Sequence, residues 1–289
     1  MKLLQRIVLG YYRNKFNTLA LIAPQKAAAM AFELFCTPYT RKRNFVAPQL
    51  FSTAQPLSLN IDNVTTKGFY WKPQHLENGK TILICHGFDS YSYRFEKYVE
   101  GLLASGFDVI AFDAPAHGIS EGKTITVLQY RNMILQINER FGPIDGIMAH
   151  SFGGLAVALA VEEAKQLNCK RLVLLAPATE TTHAIEHFFK FVRVSKRVRI
   201  AFNELVERLA GNPASWFSVA RILQQVHVPT LWIHDRLDTI TPYADMHYLT
   251  EKDLPHIEFE ITEGMGHSLY TEESVTKRVV DYFAELNNT

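Results

Sequence analysis

One serine stands where its hydroxyl could do chemistry. An apolar run over residues 144–149 passes through His150 into Ser151 and then, by way of Phe152-Gly153-Gly154, into the apolar stretch 155–160. Strand, sharp turn carrying a serine, helix is the geometry of a nucleophile elbow, here Ala149-x-Ser151-x-Gly153. Only small side chains fit on either side of so tight a turn, and Ala149 stands where the pattern usually has glycine. The turn predicts an Oγ held above the sheet edge, where a base can reach it, and a Phe152 amide, at the head of a helix, aimed at an oxyanion.

A serine hydroxyl is a weak nucleophile at neutral pH and needs a base, which in turn needs an orienting group. Both follow in the order Ser, Asp, His. Residues 231–242 leave a strand and reach Asp238 four residues before Pro242, and residues 258–268 deliver His267 in the glycine-rich loop Glu263-Gly264-Met265-Gly266-His267. Asp235 lies three residues from Asp238 and competes with it for the orienting role; the spacing to Pro242 selects Asp238. Of the eleven histidines only His267 has the placement of a general base. His86 and His150 are expected to bond within their loops, His117 borders the site, and the others show no metal-ligand spacing. Cys85-His86-Gly87-Phe88 follows another strand, and the Phe88 amide is expected to complete the oxyanion pair with that of Phe152.

Elements must bring these positions together. Residues 57–61 and 64–71 read as an antiparallel hairpin joined near Asp62-Asn63. Apolar strands then recur at 81–85, 107–112, 144–149, 171–175, 230–233 and 257–261, with helical stretches at 95–104, 127–141 and 152–167. Short apolar strands alternating with helices predict a parallel sheet covered on both faces, whose carboxyl edge gathers the site. An insertion over about 178–225 interrupts the alternation. Its Phe188, Phe191, Ser195, Val198, Phe202, Leu205 and Leu209 step by three and four, which predicts helix, and its bases Lys190, Arg193, Lys196, Arg197 and Arg199 are assigned to a solvated face. As an insertion after a strand end it is expected to cap Ser151.

Composition sets the outer bounds. The 289 residues are 47% hydrophobic and 20% charged, with net charge +1, which suits one large globular domain and gives no sign of a nucleic-acid partner. The charge is uneven: residues 1–50 carry eight Lys/Arg against Glu33 alone, leaving 22 bases against 28 acids in the remainder. That basic segment predicts helices over 1–16, with Leu4, Val8, Tyr11, Tyr12 and Phe16 on one stripe, and over 25–35. Packing of the stripe on the main body is the preferred reading; weak peripheral contact with an anionic membrane is the alternative. Cys36, Cys85 and Cys169 form neither a disulfide framework nor a zinc spacing and are read as reduced thiols of a cytoplasmic protein. No signal peptide or membrane-spanning run is found.

The motifs His86-Gly87-Phe88, Asp113-x-Pro115-x-x-Gly118-x-Ser120, His150-Ser151-Phe152-Gly153-Gly154, Asp238-x-x-x-Pro242 and Gly266-His267-Ser268 together resemble the α/β-hydrolase superfamily, in its serine-nucleophile branch with a helical cap. The resemblance spans about residues 57–289 and implies an α/β fold, with a mostly parallel sheet of about eight strands flanked by helices. It divides the chain into a basic helical segment, 1–50, and a catalytic domain, 51–289. It implies ester hydrolysis of a small-molecule acyl substrate by Ser151, His267 and Asp238 through an acyl-enzyme, with no cofactor and no metal. Thioesterase, lipase and carbon–carbon bond hydrolase activities share that machinery, and a non-catalytic ligand-binding protein is the reading from another class. Oligomeric state is not legible.

Overall fold

The computed structural model describes residues 3–39, 46–163 and 167–288. Of the basic N-terminal positions, Lys2, Arg41, Lys42 and Arg43 lie outside these, as do the side chains of Leu4 and Arg6. The described residues fall into two compact units, one made of Met1–Thr37 with Glu180–Ser218 and the other of Pro38–Thr179 with Val219–Thr289. This grouping cuts the chain differently from a division at residue 50. The first helices associate with the insertion, and the insertion's last helix belongs with the sheet.

The larger unit is built on an eight-stranded sheet. Strands β1 (Gln55–Ile61), β2 (Val64–Trp71), β3 (Thr81–Cys85), β4 (Asp108–Asp113), β5 (Gly146–His150), β6 (Arg171–Leu175), β7 (Thr230–Asp235) and β8 (Ile257–Thr262) lie in the order β1-β2-β4-β3-β5-β6-β7-β8. The first two form the antiparallel hairpin, turning through Asp62 and Asn63 at positive φ (48° and 64°), where short polar side chains tolerate the left-handed region. β2 meets β4 antiparallel, and every later pairing is parallel. Helices α3 (Glu96–Ala104), α4 (Val127–Phe141), α5 (Phe152–Glu163), α8 (Val219–Leu223), α9 (Ala244–His247) and α10 (Glu273–Ala284) complete the unit. The inner strands β5 and β7 are buried at every position, as a sheet covered on both faces requires, whereas edge strand β8 is largely half-buried. Helix α5 is apolar all round and buried from Gly153 to Val161, so it is a core helix with no solvent face.

In the smaller unit, α1 (Leu3–Leu19), α2 (Pro24–Phe35), α6 (Thr181–Val192) and α7 (Lys196–Ala210) share one core. Phe16, Phe188, Phe189 and Phe202 are buried there among Ala27, Ala28 and Ala31, small residues that let α2 approach closely. The periodic positions of the insertion divide into two helices, separated where Arg193 adopts φ 59°; two of those positions, Phe191 and Leu209, are 45% and 59% exposed. The stripe expected on the first helix is also divided. Phe16 is buried and Tyr12 half-buried, but Val8 and Tyr11 are 44% and 57% exposed, because the helix turns Leu9, Tyr12, Phe16 and Leu19 to the core. Among the described residues no helix is long and apolar enough to cross a membrane.

Candidate active site

All five residues singled out from the sequence belong to the larger unit. Ser151 follows β5 at φ 52°, a conformation that costs a non-glycine residue energy and persists only when neighbours enforce it. Its amide donates to the Leu175 carbonyl at 3.0 Å, and its own carbonyl accepts from Gly154 and Ala178, each at 2.9 Å. The turn is thereby pinned to the end of β6. Ala149 is fully buried between its strand partners Cys85 and Leu174. At Gly153 any Cβ would stand 2.6 Å from the His86 carbonyl oxygen and 2.8 Å from that of Cys85, so no side chain fits. A Cβ on Gly87 would likewise meet Ser151 Cβ at 2.9 Å and His150 Nδ1 at 2.8 Å. The loop after β3 therefore lies directly against the serine turn.

His267 arrives on the turn after β8 with Nε2 3.0 Å from Ser151 Oγ and Nδ1 2.8 Å from Asp238 Oδ2. Nδ1–H donates to the carboxylate, which leaves Nε2 free to accept the serine proton. Burial alone would raise the Asp238 carboxyl, but the hydrogen bond and charge of His267, with Thr241 Oγ1 and the Ile240 amide, outweigh it and hold the group down to about 2. It is therefore a carboxylate at neutral pH. Asp235 is engaged elsewhere: its oxygens accept from the Leu237 and Met265 amides and from Thr262 Oγ1, all within 2.8–2.9 Å. It ties the loops after β7 and β8 together, and Asp238 alone of the two meets the imidazole.

The remaining histidines of this edge are braces. His86 and His117 are buried, each pushed down to about 4 by burial, and each donates from Nδ1 to a carbonyl and accepts at Nε2 from an amide. His150 is pushed down to about 3, again by burial, and its Nε2–H donates to the His267 backbone carbonyl at 3.0 Å. That bond joins residues 117 apart, in place of the bond within the His150 loop that was expected. Two more positions went unnoticed. Thr241 Oγ1 donates to Asp238 Oδ2 at 2.8 Å, and buried His234 donates from Nε2 to the Thr241 carbonyl at 2.8 Å, fixing the turn that holds the carboxylate. A threonine three residues after an acid is a capping pattern that could have flagged the first.

Phe152 heads α5, where an amide has no helical acceptor. Among the described residues no acceptor takes the Phe88 amide. The two side chains, both half-buried, meet edge to face with ring centroids 5.6 Å apart, and His117 and Tyr130 extend the aromatic cluster. Among the described residues no group of three or more His, Cys, Asp or Glu is arranged to hold a metal ion.

A mostly parallel eight-stranded sheet in this order, with a serine elbow after β5 and an acid and a histidine after β7 and β8, is the α/β-hydrolase fold. Residues 77–215 match the family model described as serine aminopeptidase, S33. A Mycoplasma genitalium protein named as a candidate esterase/lipase is 25% identical over 268 residues, spanning 79% of this chain and 96% of that one. Among solved structures, the Pyrococcus furiosus esterase Pf2001 is 21% identical with a TM-score of 0.62, over 86% of this chain and 95% of that one. A monoacylglycerol lipase of Paleococcus ferrophilus is 20% identical with a TM-score of 0.57, over 76% and 98%.

Proposed function

We propose that the chain is a serine hydrolase that cleaves carboxylic esters through an acyl-enzyme. The observation that carries this reading is the continuous relay Ser151 Oγ–His267 Nε2, His267 Nδ1–Asp238 Oδ2, at 3.0 and 2.8 Å. In it His267 takes the hydroxyl proton as Oγ attacks the acyl carbonyl, and Asp238 holds the tautomer and stabilises the imidazolium. The Phe88 and Phe152 amides take the developing oxyanion. His267 then protonates the departing alkoxide, and the cycle repeats with water as the nucleophile to release the acid. The half-buried aromatic rings beside the serine favour an apolar acyl group, and the names of the relatives, esterase and monoacylglycerol lipase, support an ester over other acyl derivatives.

The test is a panel of p-nitrophenyl esters of increasing chain length, together with an acyl thioester and an aminoacyl anilide, run on wild type and Ser151→Ala. Ester turnover should fall by about 10⁴-fold or more in the variant with folding intact. Near wild-type ester rates in Ser151→Ala would remove the assignment. Faster turnover of the thioester or anilide, lost in the same variant, would keep the serine and change the substrate class.

A further inference from the structure

We infer that the first helix and the turn after it dock on the surface of an anionic phospholipid bilayer. The observation is the second apolar face of α1. At 100° per residue Leu9, Tyr12, Phe16 and Leu19 point to the helical core, while Ile7, Val8, Tyr11, Lys15 and Thr18 share the other side. Ile7 is 60%, Tyr11 57%, Leu21 66% and Ile22 86% exposed. Single exposed apolar residues are ordinary; five within sixteen positions of one hairpin form a patch. It flanks an open groove of about 730 Å³ between α1 and α2 whose lining includes Tyr11, Lys15, Ile22, Lys26 and Met30.

Charge selects the occupant. Residues 1–32 contain five Lys/Arg and no Asp or Glu, and Arg13, Lys15 and Lys26 are exposed. Lys15 Nζ sits 5.4 Å from the Tyr11 ring, so a cation lies beside the apolar patch. Apolar side chains that enter the interface beside lysines that pair with lipid phosphates are the signature of a helix lying on an anionic membrane. A second copy of the chain fits poorly, since a two-fold contact through this face would bring its lysines toward those of the other copy. Nothing in this docking depends on which bond the larger unit cleaves.

Co-sedimentation of the full chain with vesicles tests it. One set is phosphatidylcholine alone, the other contains one third phosphatidylglycerol, each at low and high salt. Wild type should sediment with the anionic set only and dissociate at high salt. Lys15→Glu/Lys26→Glu and Leu21→Ser/Ile22→Ser should each cut the bound fraction about tenfold or more. Both variants should keep wild-type turnover of a soluble short-chain ester and wild-type circular dichroism. Absence of sedimentation, equal binding to neutral vesicles, or variants that bind like wild type would overturn the inference. So would a concentration-dependent dimer in light scattering that both double variants abolish, which would give the face to a second copy.

Discussion

Two loops at the carboxyl edge of the sheet are each built around a buried aspartate. After β4, Asp113 accepts from the Ser92 amide and hydroxyl, both at 2.7 Å, and from the Ile119 amide at 2.9 Å. After β7, Asp238 accepts from the Ile240 and Thr241 amides and from Thr241 Oγ1, at 2.8, 3.0 and 2.8 Å. The local schemes are alike; the last partner differs. Every donor to Asp113 comes from the framework, and burial raises its carboxyl despite them. Asp238 has one further donor, the imidazole of His267, and is held low by it. A carboxylate closed by amides organises a loop, whereas one whose remaining lone pair faces a titratable group can share in moving a proton.

The comparison breaks most visibly in kinetics. Asp238→Asn should lower kcat by about 10⁴-fold, since the amide no longer fixes the imidazole tautomer, while Asp113→Asn should leave kcat within about tenfold and cost about 1–3 kcal/mol of stability through its mismatched donors. Steady-state ester hydrolysis and urea unfolding read the two. If both variants lose activity equally without loss of stability, the distinction between the loops is wrong.

A smaller effect concerns what holds the base. His150→Phe removes the donor to the His267 carbonyl and should lower kcat about tenfold or more, with KM little changed and about 1–3 kcal/mol of stability lost. Thr241→Val should lower kcat by about tenfold through the same carboxylate, with a stability cost of about 1 kcal/mol. Wild-type kcat in either variant would remove that residue from the positioning scheme.

The smallest effect is also the sharpest in sign. Asp238 titrates lower folded than unfolded, so its contribution, on the order of 2 kcal/mol, is present above the ordinary carboxyl range and is lost as pH falls from about 4 toward 2. Asp113 titrates higher folded than unfolded, so the sign reverses and its ionisation costs stability as pH rises. The stability gap between wild type and Asp238→Asn should therefore widen as pH rises from about 2 to about 4, whereas the gap to Asp113→Asn should narrow above the ordinary carboxyl range, where the unfolded aspartate ionises before the folded one. Urea unfolding of the three proteins at matched pH measures both slopes; slopes of the same sign would show that the two carboxylates do not differ as described.

The fold was legible in the sequence to within a residue or two at most strands, because buried parallel strands write themselves as short apolar runs bounded by turn residues. Helix α4 and strands β2, β3 and β6 begin and end where their patterns do. Ser151, Asp238 and His267 could be found because each stands just past a strand end, so topology alone brings them to one edge. The His150–His267 bond escaped notice because a hydrogen bond between distant loops has no period, whereas the local Thr241–Asp238 bond was legible as a capping pattern. The amphipathic face of α1 was misjudged for a related reason: with apolar residues on both sides of a helix, periodicity cannot say which side is covered, and the covering helices α6 and α7 come from 160 or more residues downstream. The same ambiguity hid the association of the N-terminal helices with the insertion.

The central claim is that His267 makes the Ser151 oxygen nucleophilic. A fluorophosphonate probe reads it directly: in wild type, tandem mass spectrometry should find one phosphonyl group, on Ser151, and labelling should drop at least about a hundredfold in His267→Ala with its circular dichroism unchanged. Labelling of a different residue, or equal labelling of Ser151 in the folded His267→Ala variant, would contradict the account.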